Sequence, residues 1–216
     1  MRLGPMTATV KDLIVAGDAT GLMVLLADDP PLANVSIEWG PDGANRSVPL
    51  HFVSDMVFDG TLAAERAVPL VEALIAAGAD LDAPHARHGD TPLIGAASLS
   101  VEDVGLCLVA AGADIAARGL FGATALHWAA HQGLATLTAA LLDAGADVAL
   151  PDSQYGGRPL DWALHGWLEP APADTRGQPD VVRLLRAAGA TPRDGALAAL
   201  DGAEHAAMRA ALTDPG

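Results

Sequence analysis

The sequence predicts an all-α protein made of stacked helix-turn-helix units whose loops project as fingers. Three observations predict this fold. The 216 residues are 51% hydrophobic but only 4% aromatic, so the core has to be built mainly from Ala, Leu and Val, which favours closely packed helices. A Gly-Ala-Asp triplet recurs after apolar helical patterns, and a second short motif recurs before them.

The recurring triplet marks the end of each unit. Gly-Ala-Asp occupies 78–80, 112–114 and 145–147, and a weaker Gly-Ala-Thr occupies 189–191, at intervals of 34, 33 and 44 residues. Apolar residues three or four positions apart precede it, as in Leu137, Leu141 and Leu142. Glycine at this place indicates a helix C-terminus, because it adopts the left-handed backbone conformation at little cost.

The second motif marks the start of each unit. It reads Val48-Pro-Leu-His51, Thr91-Pro-Leu-Ile94, Thr124-Ala-Leu-His127 and Arg158-Pro-Leu-Asp161. Thr caps the first free amides of a helix, and Pro is tolerated at the first helical position. The interval between the two motifs is longer in the first and fourth units, which places insertions near 59–66 and at 169–179. They are either tolerated surface loops or added contacts for one partner.

These motifs together resemble the ankyrin-repeat family. Its pattern D-x-x-G-x-T-P-L-H-x-A-A-x-x-G is best matched by Gly122-Ala-Thr-Ala-Leu-His-Trp-Ala-Ala-His-Gln-Gly133, and its second helix by Leu141-Leu-Asp-Ala-Gly-Ala-Asp147. The resemblance implies an ankyrin-repeat solenoid that folds as one domain over 1–216. We expect an N-terminal cap at 8–34, repeats at about 41–83, 86–118, 119–152 and 153–192, and a C-terminal cap at 193–214.

The resemblance also implies a protein-binding function, with the partner on a concave groove made by the loop tips and the first helices. When the repeats are aligned with the family pattern, this surface falls on the loop residues Arg87, His88, Asp90, Leu120, Phe121, Ala123, Gln154, Tyr155 and Gly157. The corresponding helix position falls at Asp55, Ser98, His131 and His165.

Aromatic residues concentrate in or close to this strip: Phe52, Phe121, Trp128, Tyr155, Trp162 and Trp167. Aromatic side chains offer a large contact area for little lost rotamer freedom, so they commonly anchor interfaces. Register also places Trp128 and Trp162 as neighbours on successive repeats. The alternative is that this aromatic stripe belongs to the core between repeats.

The histidines permit a second function. His127 and His131 lie four residues apart, and Asp161 and His165 repeat that spacing. The alternative to protein binding is therefore a small-molecule or metal site, with possible enzymatic use, lined by Trp128, His131, Trp162 and His165. The family's use of His at the end of the starting motif implies instead that His51 and His127 link adjacent repeats. Nucleophile, phosphate-binding and H-E-x-x-H motifs are missing, so we expect no enzyme, catalytic residue, metal or cofactor.

Charge and composition limit the partners and the location. The formal charge of −15 opposes binding to nucleic acid or anionic lipid and favours a basic protein partner. Polar residues such as His131 and Gln132 interrupt the uncharged stretch 119–142, so no membrane span is expected. The lone Cys107 and the lack of a signal peptide predict a cytoplasmic protein, and the Ala- and Arg-rich composition suggests a bacterial source. We expect a monomer, the alternative being a subunit that oligomerises through its groove or caps.

Overall fold

The structure, a computed structural model, describes residues 9–169 and 177–213. The described chain is mostly helical. Its helices are α1 (Val10–Ala16), α2 (Ala19–Asp28), α3 (Pro49–Phe58), α4 (Ala67–Ala76), α5 (Pro92–Ser98), α6 (Glu102–Ala110), α7 (Ala125–Gln132), α8 (Ala135–Asp143), α9 (Pro159–Leu168), α10 (Gln178–Ala187) and α11 (Ala206–Thr213). No helix in the described ranges is long and apolar enough to cross a membrane.

The helices pack as consecutive pairs that form two rows. Helices α1, α3, α5, α7 and α9 contact one another in that order and make the first row. Helices α2, α4, α6, α8 and α10 make the second row in the same way, and α11 packs against α10. The core lies between the rows and is lined by fully buried side chains such as Leu93, Leu108, Leu126, Leu137 and Leu141. Each pair therefore buries its apolar face against its neighbours.

The glycines of the recurring triplet end the second-row helices as predicted. Gly78, Gly112, Gly145 and Gly189 all have φ between 85° and 95°. Each follows the C-cap residue of its helix. The chain reverses here without the steric cost that a Cβ atom would impose.

Two buried histidines link successive units. His51 Nε2 lies 3.0 Å from the carbonyl oxygen of Ala83, and His127 Nε2 lies 3.2 Å from that of Gly157. The Nδ1 atom of His127 accepts from the amide of Thr124 at 3.2 Å, so Nε2 carries the proton and donates to Gly157. Burial lowers the pKa of His127 and keeps its ring neutral.

Side chains in the loops add further links between neighbouring units. The amide of Asp80 donates to Asn34 Oδ1 at 2.7 Å, and the amide of Asp114 donates to Asp82 Oδ1 at 2.8 Å. In the next loop, the amide of Leu120 donates to Asp90 Oδ1 at 2.8 Å. These bonds fix the position of each loop relative to the one before it.

A short hairpin was not predicted. Strands β1 (Ile37–Trp39) and β2 (Asn45–Ser47) pair antiparallel, with Glu38 opposite Arg46. Asp42 and Gly43 have φ of 55° and 68° in the connection, and positive φ at two successive residues is typical of a tight turn. The hairpin precedes α3, and Trp39 packs edge-on against Phe52 at 5.1 Å between ring centroids.

The two insertions differ in what is described. The first lies between α3 and α4 and contains a 3-10 turn at Ala64–Arg66. Most of the second lies outside the described residues, which stop at Glu169 and resume at Gly177. At the C-terminus, 3-10 turns at Ala196–Ala199 and Ala203–His205 precede α11, so the terminal segment holds a single α-helix within the described residues.

Candidate functional site

An open pocket of about 680 Å³ lies between the third and fourth units of the first row. We call it the aromatic pocket. It is lined by Phe121, Trp128, His131, Asp152, Tyr155, Gly157, Asp161, Trp162, His165, Glu169 and Arg193. Helix α7 supplies Trp128 and His131, helix α9 supplies Trp162 and His165, and the loops that precede these helices supply Phe121 and Tyr155.

Four aromatic rings form a continuous cluster in this pocket. Trp128 and Trp162 meet edge to face with centroids 4.9 Å apart, which confirms that they are neighbours. Phe121 lies 5.6 Å from Tyr155, 6.2 Å from Trp128 and 6.3 Å from Trp162. Tyr155 is 66% exposed, whereas the other three rings are half-buried. The cluster therefore has a packed base and an accessible rim.

The backbone at Phe121 is in an unfavourable conformation for its residue type. Its φ of 64° is in the left-handed region, which costs a bulky side chain on the order of 1 kcal/mol or more. Its carbonyl oxygen accepts from the amides of Ser153 and Gln154 at 3.0 and 3.2 Å. The fourth unit's loop thus holds Phe121 in place, with its side chain lining the pocket.

Asp152 organises the loop that carries Tyr155. It is 3% exposed, and its two carboxylate oxygens accept four hydrogen bonds. Oδ1 accepts from the amides of Gln154 at 2.9 Å and Tyr155 at 2.5 Å. Oδ2 accepts from the amide of Gly157 at 2.8 Å and from the indole of Trp162 at 3.0 Å. Burial raises the pKa of Asp152, but these donors outweigh it and hold that pKa below its usual value of 3.8.

The second carboxylate of the pocket is paired. Asp161 Oδ2 lies 3.0 Å from Nε of Arg193 and 3.4 Å from Nε of Arg158. It also accepts from the amide of Arg158 at 2.8 Å, which caps the start of α9. Arg193 bonds the carbonyl oxygen of Gly156 as well. These contacts close one side of the pocket and balance the charge of Asp161.

Two histidines and a glutamate meet at another side of the pocket. Glu169 Oε1 lies 3.4 Å from Nε2 of His165 and 3.6 Å from Nε2 of His131. The two imidazole rings are 5.7 Å apart. Burial lowers the pKa of His131 despite the nearby carboxylate of Glu169, so its ring is neutral at pH 7. The three donor atoms all lie within 4.8 Å of one another and have the composition of a metal-ligand group.

A second pocket of about 630 Å³ lies beside the first unit and contains three of the predicted binding residues, Asp55, Arg87 and His88. Arg87 and His88 are exposed in the loop, whereas Asp55 is half-buried on α3. Burial, and then the charge of Asp59, raises the pKa of Asp55 to about 6. Its Oδ2 atom has no hydrogen-bond partner within the described part of the chain.

The structure brings only part of the predicted strip together. Phe121, Trp128, His131, Tyr155, Trp162 and His165 share the aromatic pocket. Asp90 and Ser98 instead bond backbone groups, Leu120 is half-buried, and Gln154 is exposed and donates to the Tyr155 hydroxyl at 3.0 Å. Whether these residues contact a partner stays a prediction.

Four residues assigned to the strip are buried, and the prediction is corrected there. Phe52 is fully buried against Trp39, so it belongs to the core. Trp167 is 6% exposed, and its indole donates to Nδ1 of His205 at 2.9 Å, because the C-terminal segment covers this end of α9. Ala123 and Gly157 are likewise buried in the bases of their loops.

Sequence reasoning missed Asp152, Glu169 and Arg193. Asp152 opens the loop before α9, and an Asp in a polar segment that ends in Gly156-Gly157 is a signal for a turn capped by its side chain. Glu169 follows His165 by four residues, which places both on one helix face, but it was assigned to the insertion. Arg193 lies beyond the last repeat and carries no local signal for its contact with Asp161.

Comparisons with known proteins find similarity to ankyrin repeats in part of the chain. A family model described as Ankyrin repeat matches residues 121–153, which include the third starting motif and Phe121. A segment of 74 residues is 42% identical to rabankyrin-5 of Mus musculus. This match spans 34% of the present chain but only 6% of rabankyrin-5. The present chain therefore matches only a small part of the length of that protein.

Proposed function

Because this chain is an ankyrin-repeat protein, we propose that it binds another protein on its loop tips and first-row helices, with the aromatic pocket as the main anchor. Ankyrin repeats generally mediate protein-protein interaction. One observation carries the proposal for this chain: Phe121, Trp128, Tyr155 and Trp162 form an accessible aromatic cluster in an open pocket of about 680 Å³.

Aromatic rings of this kind are the side chains that dominate binding energy in protein interfaces. Phe52 and Trp167 are buried in the same fold, so the core of this protein can accommodate large aromatic rings. Tyr155 is left 66% exposed next to a strained Phe121. A fold that leaves these groups accessible keeps contact area available for a partner.

In this proposal the partner presents a basic segment. The net charge of −15 attracts cationic surfaces over long distances and increases the rate of encounter. An arginine or aromatic side chain of the partner would fill the pocket, since both stack favourably on Trp and Tyr rings. The second pocket, with Arg87 and His88, would contact the partner further along the strip.

The proposal also covers the oligomeric state, the location and the number of repeats of the chain. The chain acts as a monomeric, cytoplasmic solenoid of four repeats between two caps, and it needs neither a cofactor nor a catalytic step to hold its partner. The two rows of paired helices support the stacked part of this proposal.

The test compares capture of proteins from a lysate of the source cells by three purified forms of the chain. The wild type is compared with Phe121→Ala/Tyr155→Ala and with a control, Met23→Ala/Val24→Ala, which removes from α2 two apolar side chains that are about as exposed as Tyr155. We expect a partner that the wild type and control retain and the aromatic variant loses. Each truncation should weaken binding of the isolated partner about 30-fold, the effect of about 2 kcal/mol.

Thermal denaturation of all three forms checks that they are folded. Binding should also weaken as salt rises from 50 to roughly 500 mM, because ions screen the attraction. A partner captured equally by the aromatic variant would place the binding surface elsewhere.

A further inference from the structure

The group formed by His131, His165 and Glu169 is built from two adjacent units. His131 lies near the end of α7, His165 lies on α9, and Glu169 directly follows α9. Helices α7 and α9 are held close because Gly166 packs on the backbone of His131 with no room for a Cβ atom. The carbonyl oxygen of His131 also accepts from Nε2 of Gln178 at 2.9 Å. The backbone that carries the ligands is therefore fixed before any ion binds.

The donor spacing suits a small four-coordinate ion. With bonds of about 2.0–2.1 Å, two ligands of a tetrahedral Zn²⁺ ion are roughly 3.4 Å apart. Glu169 Oε1 is 3.4 and 3.6 Å from the two Nε2 atoms, and all three donors lie within 4.8 Å of one another. Small side-chain rotations would equalise these distances.

The contacts of Glu169 with the two histidines are those of ion pairs, and they leave the His131 ring only partly paired. The 3.6 Å separation between His131 and Glu169 is too long for a hydrogen bond. Nδ1 of His131 is buried and has no hydrogen-bond partner among residues 9–169 and 177–213. Trp128 and Trp162 pack edge-on against the His131 ring at 6.1 and 6.0 Å and restrict the water around it.

The donor chemistry selects the ion. Two imidazole nitrogens and one carboxylate match the ligands of Zn²⁺ in proteins with three protein ligands. Mg²⁺ and Ca²⁺ require mostly oxygen ligands, and the group offers oxygen from Glu169 alone.

From these contacts we propose that His131, His165 and Glu169 bind a Zn²⁺ ion, with a fourth position open to water or to a ligand atom of another molecule. The site goes beyond the proposed protein-binding function and does not depend on it. The aromatic variant Phe121→Ala/Tyr155→Ala leaves all three ligands in place, so it should still bind the ion even if the protein-binding proposal fails.

The test is a Zn²⁺ titration of tag-free protein at pH 7.4 in competition with a chromogenic chelator. The wild type should bind one equivalent, and His131→Gln, His165→Gln and Glu169→Gln should each bind at least tenfold more weakly. The control is His88→Gln, which removes an exposed imidazole outside the group and should bind like the wild type. The side chain of His165 is 71% exposed, so its variant should fold normally.

Two further measurements test the proposed Zn²⁺ site. Zn²⁺ should raise the melting temperature of the wild type and the control but not of His165→Gln. Co²⁺ bound in place of Zn²⁺ should give the intense visible absorption of a four-coordinate ion. Equal Zn²⁺ affinity of the wild type and the folded His165→Gln variant would overturn the proposal, and so would binding that is lost with His88→Gln.

Discussion

Asp152→Asn tests whether one buried carboxylate holds the aromatic pocket together. The change keeps the shape of the side chain but replaces one acceptor oxygen with an NH₂ donor. Each carboxylate oxygen accepts two hydrogen bonds, so the new donor faces two N–H groups in either orientation. The variant loses either the Gln154 and Tyr155 amides or the Gly157 amide and the Trp162 indole as partners.

The expected loss follows from these bonds. A hydrogen bond to a charged group contributes about 1.5–3 kcal/mol net, so losing two of them costs about 3–4 kcal/mol after partial rearrangement. For a domain of this size, that corresponds to a fall in melting temperature of about 6–16 °C. The near-ultraviolet circular dichroism should also weaken, because the indole of Trp162 loses a fixed partner.

The effect should depend on pH in a defined direction. The pKa of Asp152 is lowered in the folded protein, so its ionised form stabilises the fold above the ordinary pKa of 3.8. That stabilisation is lost as pH falls through the lowered value. The difference in unfolding free energy between wild type and variant should therefore be full at pH 7 and shrink below about pH 4.

The assay is thermal and urea denaturation at pH 7 and pH 3.5, with Asp147→Asn as the control. Asp147 is exposed, and its side chain accepts one amide, that of Ala149, at 2.8 Å. We expect a loss of about 1 kcal/mol or less for this control. The reasoning is refuted if Asp152→Asn costs no more than the control at pH 7, or if its cost is larger at pH 3.5 than at pH 7.

Three further predictions concern other contacts. Gly166→Ala should lower the free energy of unfolding by more than about 2 kcal/mol in a urea titration, because its Cβ would lie 2.0 Å from the carbonyl oxygen of His131. The control Gly95→Ala should lower it by less, because its Cβ would meet only the His51 ring, at 3.2 Å. Asp55→Asn should raise stability by about 1 kcal/mol at pH 7.5 and by much less at pH 4, because the raised pKa of about 6 means that the folded state disfavours the ionised form. Equal gains at both pH values would contradict this. His127→Gln should reduce the drop in melting temperature between pH 7.5 and 5.5. Because the pKa of His127 is lowered in the folded protein, its neutral ring stabilises the fold above the ordinary pKa of 6.5, and that stabilisation is lost in acid. An unchanged drop would exclude His127 as a cause of the pH dependence.

Local chemistry explains why much of the fold was predictable. The triplet glycines adopt positive φ at the end of each second-row helix because no other residue does so at so little cost. The repeat register placed Trp128 beside Trp162 because equivalent positions on stacked units are neighbours in space. The hairpin β1–β2 had a usable signal in Asp42-Gly43, but its strands are only three residues each, too short for an alternating pattern to stand out.

The errors in the site come from contacts between distant residues. Trp167 occupies a plausible surface position on α9, yet the segment with His205 covers it, and no spacing in the sequence shows where that segment docks. Arg193 reaches Asp161 across 32 residues for the same reason. Asp152 had a local turn signal, but its bond to Trp162 depends on how the loop folds back on α9.

The hydrogen bonds between successive loops have an evolutionary consequence. The bonds of Asn34 to Asp80, Asp82 to Asp114 and Asp90 to Leu120 each connect a unit only to its immediate neighbour. The four rings of the aromatic pocket come from two consecutive units. Gene duplication or loss of a unit on the N-terminal side would therefore leave that pocket intact. Grafting these two units together with Arg193 into another array of the same family should transplant the pocket as a single part.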